Sequence, residues 1–357
     1  VTAHTYCTEA RRKMTAPGPP AGDSSVAGNP PRRITIGILA LQGAFAEHST
    51  FLSKLGADVR EVRLPHEFDG LDGIVLPGGE STAMALIGER WGVFPRLKQW
   101  VSEGRPVWGT CAGMILLSDN ALMQKEGGQS LVGGLNVEVC RNYFGAQKSS
   151  FEVPLDTSVL EVGAEGEKLA EAAKKTPYPA VFIRAPAVLE VGPGVDILCK
   201  VRARPCDKAV TVMQAMLQKA NDHDGEKGGE GEGGGGGDND ARAKRRRLAT
   251  FFVESGSSAA AAAAKRREGE GGGEGGGGGA NSGSSGSVNE APEVIVAIRK
   301  GNIVGTAFHP ELTDDSRWHE YFVRIVKEAV DASGRGDGKG EAPSVTPAAE
   351  AANTAVA

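Results

Sequence analysis

An α/β fold of three layers, with a largely parallel sheet covered by helices on both faces, is what this sequence predicts. Short apolar, β-branched runs recur and alternate with segments of helical period. Several of these runs have no polar side, which is the pattern of strands buried on both faces of a parallel sheet. The runs also end in glycine-bearing loops, and in such folds the chemistry collects at the carboxyl edge of the sheet.

The elements follow in order. Ile34-Thr35-Ile36-Gly37-Ile38-Leu39 reads as the first buried strand, and Phe45 to Leu55 as a helix stopped by Gly56. Val59 to Val62 and Gly73 to Leu76 are two further strands, the second closed by Pro77-Gly78-Gly79. Thr82 to Ile87 and Val93 to Ser102 read as helices, after which Val107-Trp108 enters a sharp turn. Beyond residue 131 strands become denser: Leu135 to Val139, Ala180 to Ile183, Asp196 to Val201, Val294 to Arg299 and Ile303 to Ala307. The last two are joined by Lys300-Gly301-Asn302 as a hairpin, and Trp318 to Ala329 is the closing helix.

Not all 357 residues belong to that fold. Residues 1–33 are rich in Pro, Gly, Ser and Arg, residues 205–290 hold Gly233 to Gly237 and the alanines Ala259 to Ala264, and residues 331–357 are Gly, Ala and Pro again. Such compositions bury too little apolar surface to offset chain entropy, so they read as a disordered extension, a low-complexity insertion and a disordered tail. Residues 34–204 together with 291–330 then form one domain. The chain opens on Val1, and Met14 is read as a candidate start. No apolar run reaches the roughly eighteen residues of a membrane span, and no secretory signal is visible. The five cysteines are odd in number and lack framework spacing, which points to a reducing, cytoplasmic setting. A net charge of −5 makes no case for nucleic acid as partner. Within the insertion, Lys244 to Arg247 and Lys265 to Arg267 read as solvated charge before they read as import signals or anion patches.

The chemistry-bearing residues stand at strand ends. Gly109-Thr110-Cys111-Ala112-Gly113 has the G-x-nucleophile-x-G form of a strand-to-helix elbow, with cysteine as the nucleophile. A cysteine needs a base, and an imidazole serves best when a carboxylate holds its far nitrogen. His309-Pro310-Glu311 supplies both groups on one short turn. The order Cys, His, Glu differs from the hydrolase order of nucleophile, acid, histidine. Blander readings stand beside these: a small buried thiol, a structural histidine, half of a metal site, or a plain strand end at Pro77-Gly78-Gly79. No further His/Cys cluster accompanies His309, so no metal is assigned. Cys140, Cys199 and Cys206 have no comparable setting.

Together the elbow and the His-Pro-Glu turn resemble the class I, or triad, glutamine amidotransferases. Five blocks narrow the resemblance to the glutaminase subunits of pyridoxal 5'-phosphate synthase: Ile36 to Gly43, Leu76 to Thr82, Arg141 to Gly145, Phe182 to Pro186 and Phe308 to Thr313. The resemblance implies a flavodoxin-like α/β fold and hydrolysis of L-glutamine to glutamate and ammonia through a glutamyl thioester. It implies Cys111 as nucleophile, His309 as base and Glu311 as its orienter. It assigns the substrate to Gly79, Glu80, Ser81, Arg141, Ile183 and Arg184, and the oxyanion to the N–H of Ala112 and the backbone at Gly78 and Gly79. No cofactor is implied. The ammonia would pass to a separate synthase subunit, met near Leu41-Gln42-Gly43-Ala44, and hydrolysis would be weak until that subunit docks. In Phe144-Gly145-Ala146-Gln147 an alanine stands where the family usually has arginine, and the 205–290 insertion replaces a short turn. Two other readings remain open: another triad amidotransferase, such as that of histidine biosynthesis, and a non-catalytic protein acting through its insertion.

Overall fold

The computed structural model describes residues 32–124, 127–146, 150–160, 176–215 and 291–334. Residues 1–31 with Met14, the glycine and alanine tracts, both basic clusters, Gln147 and residues 335–357 lie outside the described residues, while residues 331 and 332, read from composition as tail, end the closing helix.

The first half alternates as expected: β1 (Thr35–Leu39), α1 (Phe45–Lys54), β2 (Asp58–Val62), β3 (Gly73–Leu76), α2 (Ser81–Arg90), α3 (Val93–Ser102), β4 (Val107–Thr110) and α4 (Ala112–Leu117). Strands follow: β5 (Asn120–Leu122), β6 (Val137–Cys140), β7 (Phe151–Leu155), β8 (Tyr178–Phe182), β9 (Ala187–Val191) and β10 (Asp196–Arg202). Residues 207–215 form a helix, α5, before β11 (Glu293–Lys300), β12 (Ile303–Thr306) and the closing helix α6 (Arg317–Ala332).

Ten strands build the main sheet in the order β2-β1-β3-β4-β12-β11-β9-β6-β5, with β10 added on β11. The run β2-β1-β3-β4-β12 is parallel throughout. β1, β3 and β4 are buried at every position, which is why they read as unbroken apolar runs. The β11–β12 hairpin closes at Gly301-Asn302 and joins an antiparallel region made by β11 with β9 and β10, and β9 with β6. The sheet is therefore mixed but mostly parallel in the half that carries the elbow.

Chain direction reverses at β1, since β2 lies on one side of it and β3 on the other. Right-handed crossovers then put α1 and α2 on opposite faces. α1 packs with α6, and α2 with α3 and α4. α6 buries Trp318, Tyr321, Phe322, Ile325 and Val326, a stripe at helical spacing laid on the sheet.

β7 and β8 form a separate two-stranded ribbon. Pro154 in β7 faces Pro179 in β8, a pairing tolerated because both strands of such a ribbon are edges. Residues 207–215 fall in the stretch read from composition as insertion, yet Ala209, Val210 and Met213 are buried in the core. The packed part of the chain thus continues past residue 204. Among the described residues no helix is long and apolar enough to cross a membrane.

Candidate active site

Three adjacent parallel strands, β3, β4 and β12, deliver three loops to one edge of the sheet. Pro77-Gly78-Gly79 follows β3, Cys111 follows β4, and His309-Pro310-Glu311 follows β12 after Phe308.

At the elbow the strain sits on the cysteine. Cys111 has φ 46° and ψ −98°, a conformation side-chain-bearing residues rarely adopt. Its N–H donates to the Thr306 carbonyl of β12 at 2.8 Å, and its carbonyl accepts from Ile115 at 3.2 Å, so strand and helix hold it from both sides. The flanking glycines answer a different need, close backbone approach. A Cβ on Gly109 would stand 2.4 Å from the carbonyl carbon of Gly113, and one on Gly113 would stand 2.0 Å from the carbonyl oxygen of Leu76. Cys111 itself is 6% exposed, with its sulfur 3.9 Å from the Ile183 carbonyl.

His309 is fixed at backbone and ring. Its N–H donates to Val181 of the ribbon at 2.9 Å, and Nδ1 lies 2.8 Å from Glu311 Oε1. That leaves Nε2 free of Glu311, and Cys111 is close enough to act on the charge of the ring. Gly78 packs directly on the imidazole: a Cβ there would fall 2.5 Å from Cε1 and 2.7 Å from Nδ1. The glycine pair is thus more than a strand terminator.

Burial by itself would lower the pKa of His309, but hydrogen bonding and attraction from Cys111 and Glu311 outweigh it and raise it to about 10. Burial likewise favours the neutral form of Glu311, and attraction from His48 and His309 overcomes it, so that carboxyl lies below its ordinary range. The folded pKa of His309 exceeds its unfolded value of 6.5, so its stabilisation is complete below pH 6.5 and is lost as pH rises through about 10. Glu311 is shifted the other way: its stabilisation is complete above pH 4.5 and is lost as pH falls through the depressed folded value. The stability advantage of the wild type over Glu311→Gln is therefore expected to peak between pH 4.5 and 6.5 and to shrink on both sides. Urea unfolding across pH checks this; a flat difference would mean that the pair is not ionised.

The residues assigned to the substrate form a second cluster beside this one. Glu80 caps α2, accepting from the N–H groups of Thr82 (3.2 Å) and Ala83 (2.8 Å). Arg141, 8% exposed, has Nη2 3.4 Å from Glu80 Oε1 and 3.4 Å from the Thr82 hydroxyl, while its Nε is buried without a hydrogen-bond partner among the described residues. Burial lowers its pKa, Glu80 opposes this, and nearby Arg184 adds to it. Arg184 is exposed and takes φ 48°, on the turn that follows β8, next to Ile183. Ser81 begins α2, Gly79 lies against Gln42, and Ala112 opens α4 directly after the elbow.

Gln129, His48 and His319 were not singled out from sequence, and Gln42 was placed only in the segment that meets the synthase subunit. Gln42 accepts the Glu80 N–H at 2.7 Å through its side chain. Gln129 accepts from the hydroxyls of Ser81 and Thr82, both at 3.1 Å, and its Nε2 is buried without a partner among the described residues. His48, beside Glu311, and His319, beside His48, are wholly buried and belong to helices whose apolar period hides them. Leu41 to Ala44 meets the glycine loop, since the Ala44 N–H donates to Gly78 at 3.0 Å. Among the described residues no three His, Cys, Asp or Glu side chains gather as a metal site.

The sequence matches the model of the SNO glutamine amidotransferase family over residues 38–222 and 281–328. It is 35% identical over 297 residues to the probable pyridoxal 5'-phosphate synthase subunit PDX2 of Arabidopsis thaliana, covering 83% of this chain and 87% of that protein. It is 33% identical to the pyridoxal 5'-phosphate synthase subunit PdxT of an Arthrobacter species, covering 87% and 98%. Its identity to the PdxT subunit of Deinococcus radiodurans is 44%, over 46% of this chain and 78% of that protein.

Proposed function

The chain belongs to the SNO glutamine amidotransferase family, and from that premise we propose that Cys111, His309 and Glu311 hydrolyse L-glutamine through a glutamyl thioester. The protein is the glutamine amidotransferase subunit of a pyridoxal 5'-phosphate synthase. The observation that carries the proposed mechanism is the 2.8 Å pairing of His309 Nδ1 with Glu311 on the loop after β12, the strand that pairs in parallel with the one ending at Cys111.

In this reading the thiol proton of Cys111 already rests on His309, as the raised pKa of the ring favours, and the sulfur attacks the side-chain amide carbon. The amide oxygen takes up charge against the N–H of Ala112 and the backbone at Gly78 and Gly79; one such donor contributes about 2.7–4 kcal/mol. His309 then hands its proton to the departing ammonia, and its raised pKa suits it to hold that proton until the C–N bond breaks. Water attacks the thioester, releases glutamate and restores the thiol. Glu311, accepting from Nδ1, keeps the other ring nitrogen turned to the sulfur.

Substrate recognition follows from charge. Arg141 and Arg184 are like charges in mutual proximity, and Arg141 has a buried nitrogen without a partner. A carboxylate placed between them relieves the repulsion and completes that nitrogen, which fits the α-carboxylate of glutamine. Glu80, Ser81, Gly79 and Ile183 line the same cluster. The ammonia goes to a synthase subunit, and the cytoplasm is the expected setting.

The test is glutamate release by the purified chain, alone and with its synthase subunit. Stimulation on mixing is expected, together with co-elution of the two chains. No glutamate release in either sample would overturn the reading.

A further inference from the structure

Behind the His309–Glu311 pair lies a second pair of histidines that the mechanism above does not use. His48 from α1 and His319 from α6 are wholly buried. His48 Nδ1 is 3.0 Å from His319 Nε2, and His48 Nε2 is 3.3 Å from the Thr110 hydroxyl and 3.4 Å from Glu311 Oε2. The 3.4 Å approach is long, and Glu311 Oε2 has no conventional hydrogen bond among the described residues. It is nonetheless the carboxylate oxygen that His309 leaves free, since His309 Nδ1 engages Oε1.

The proton order along this chain has one solution when both rings are neutral. His319 Nδ1 is buried with no partner, so its single proton belongs on Nε2, where it has one. That N–H donates to His48 Nδ1 and forces the proton of His48 onto Nε2, which is hydrogen-bonded to the Thr110 hydroxyl and lies 3.4 Å from Glu311 Oε2. Burial disfavours charge on both rings; for His48, attraction from Glu311 and Glu47 opposes burial while His309 reinforces it. The rings cannot turn away easily. Trp108 meets both edge-on, with centroids at 5.4 and 5.0 Å, and Phe51 stacks on His319 at 4.4 Å.

We infer that His48, with His319 locking its tautomer, is a positioning residue whose Nε2–H, 3.4 Å from Glu311 Oε2, holds that carboxylate by electrostatic attraction and so fixes the group that orients His309. The inference rests on the glutaminase reading for its kinetic consequence. An apolar residue of the same shape would fill the space but leave the buried carboxylate oxygen facing no polar group from α1, which is costly. The delivering helix is itself tied to the site, because the Ala44 N–H at its start is held by Gly78.

His48→Phe keeps a ring and removes the donor, whereas His48→Gln keeps an N–H near the position of Nε2. In the Phe variant kcat for glutamine hydrolysis is expected to fall roughly ten- to a hundredfold, the usual loss when an outer hydrogen-bond partner is removed. KM is expected to move by less than about twofold, and the Gln variant to recover most of the loss. Nitrogen-15 NMR of the histidine rings gives a readout independent of turnover: the hydrogen-bonded Nδ1 proton of His309 persists in wild type and His48→Gln and is lost in His48→Phe. If the Phe variant does not fold, His48→Asn, whose amide ends short of Oε2, serves with the same expected loss. An unchanged His309 signal in the donor-free variant, or equal losses in the Gln and donor-free variants, overturns the inference. Absence of glutamine hydrolysis in the wild type would instead overturn the glutaminase reading, and the NMR comparison would still decide the role of His48.

Discussion

Cys111→Ala is expected to abolish glutamate release, by at least about four orders of magnitude, while leaving the fold and synthase binding intact. Nothing else at the sheet edge replaces the sulfur. Cys140 and Cys199 are buried thiols whose pKa values burial pushes up to about 12. Cys206 has its sulfur 3.5 Å from the Asn142 carbonyl. The substitution also changes little else, because alanine has the same Cβ as cysteine and inherits the strained backbone without adding to it. Only the contacts of one sulfur are lost, so the melting temperature is expected to stay within about 2–4 °C for each kcal/mol removed. Glutamate assays, thermal melts and co-elution with the synthase subunit measure the three quantities. Retained hydrolysis would remove Cys111 from the chemistry; loss of binding together with activity would mean that the elbow shapes the docking surface instead. A smaller fall is expected for Glu311→Gln, since the amide still accepts from His309 Nδ1 but no longer carries charge beside the imidazolium.

The central strands were legible because β1, β3 and β4 are buried on both faces and carry no polar alternation to confuse the period. The elements that escaped are those whose pairing is not written locally. β7 contains Pro154, which argues against a strand until the ribbon proves to be all edge. β9 joins the sheet between β11 and β6, two segments distant in sequence, and β5 is only three residues long. The same contrast holds at the site. Cys111, His309 and Glu311 stand out because each sits on a short loop of unusual composition. His48 and Gln129 do not: one occupies the buried stripe of an amphipathic helix, and the other acts across 47 residues on the hydroxyl of Thr82. Glu80 was read only as a substrate residue, and it also caps α2, a role that Glu80 with Thr82 and Ala83 could have disclosed.

Gly113→Ala offers the sharpest conflict between local preference and packing. Gly113 lies inside α4, where alanine is favoured over glycine by about 0.8–1 kcal/mol, so propensity alone expects a more stable protein. The tertiary structure expects the reverse. The added Cβ would stand 2.0 Å from the Leu76 carbonyl oxygen and 2.8 Å from its carbonyl carbon, and that strand backbone cannot swing aside as a side chain would. Either α4 lifts from β3 or the end of β3 is pushed outward, and each movement breaks the layer on which Cys111 depends. Leu76 runs directly into Pro77-Gly78, and Gly78 is the surface against which the His309 imidazole rests. Displacement there separates base from nucleophile even where the chain stays folded. A loss of more than about 4 kcal/mol, the range reached when substitution forces backbone strain, is expected together with a collapse of kcat. Urea unfolding supplies the sign directly. A stabilised Gly113→Ala protein with full activity would mean that α4 and β3 do not approach this closely, and the same contact is what sets the sulfur of Cys111 at the edge of the sheet.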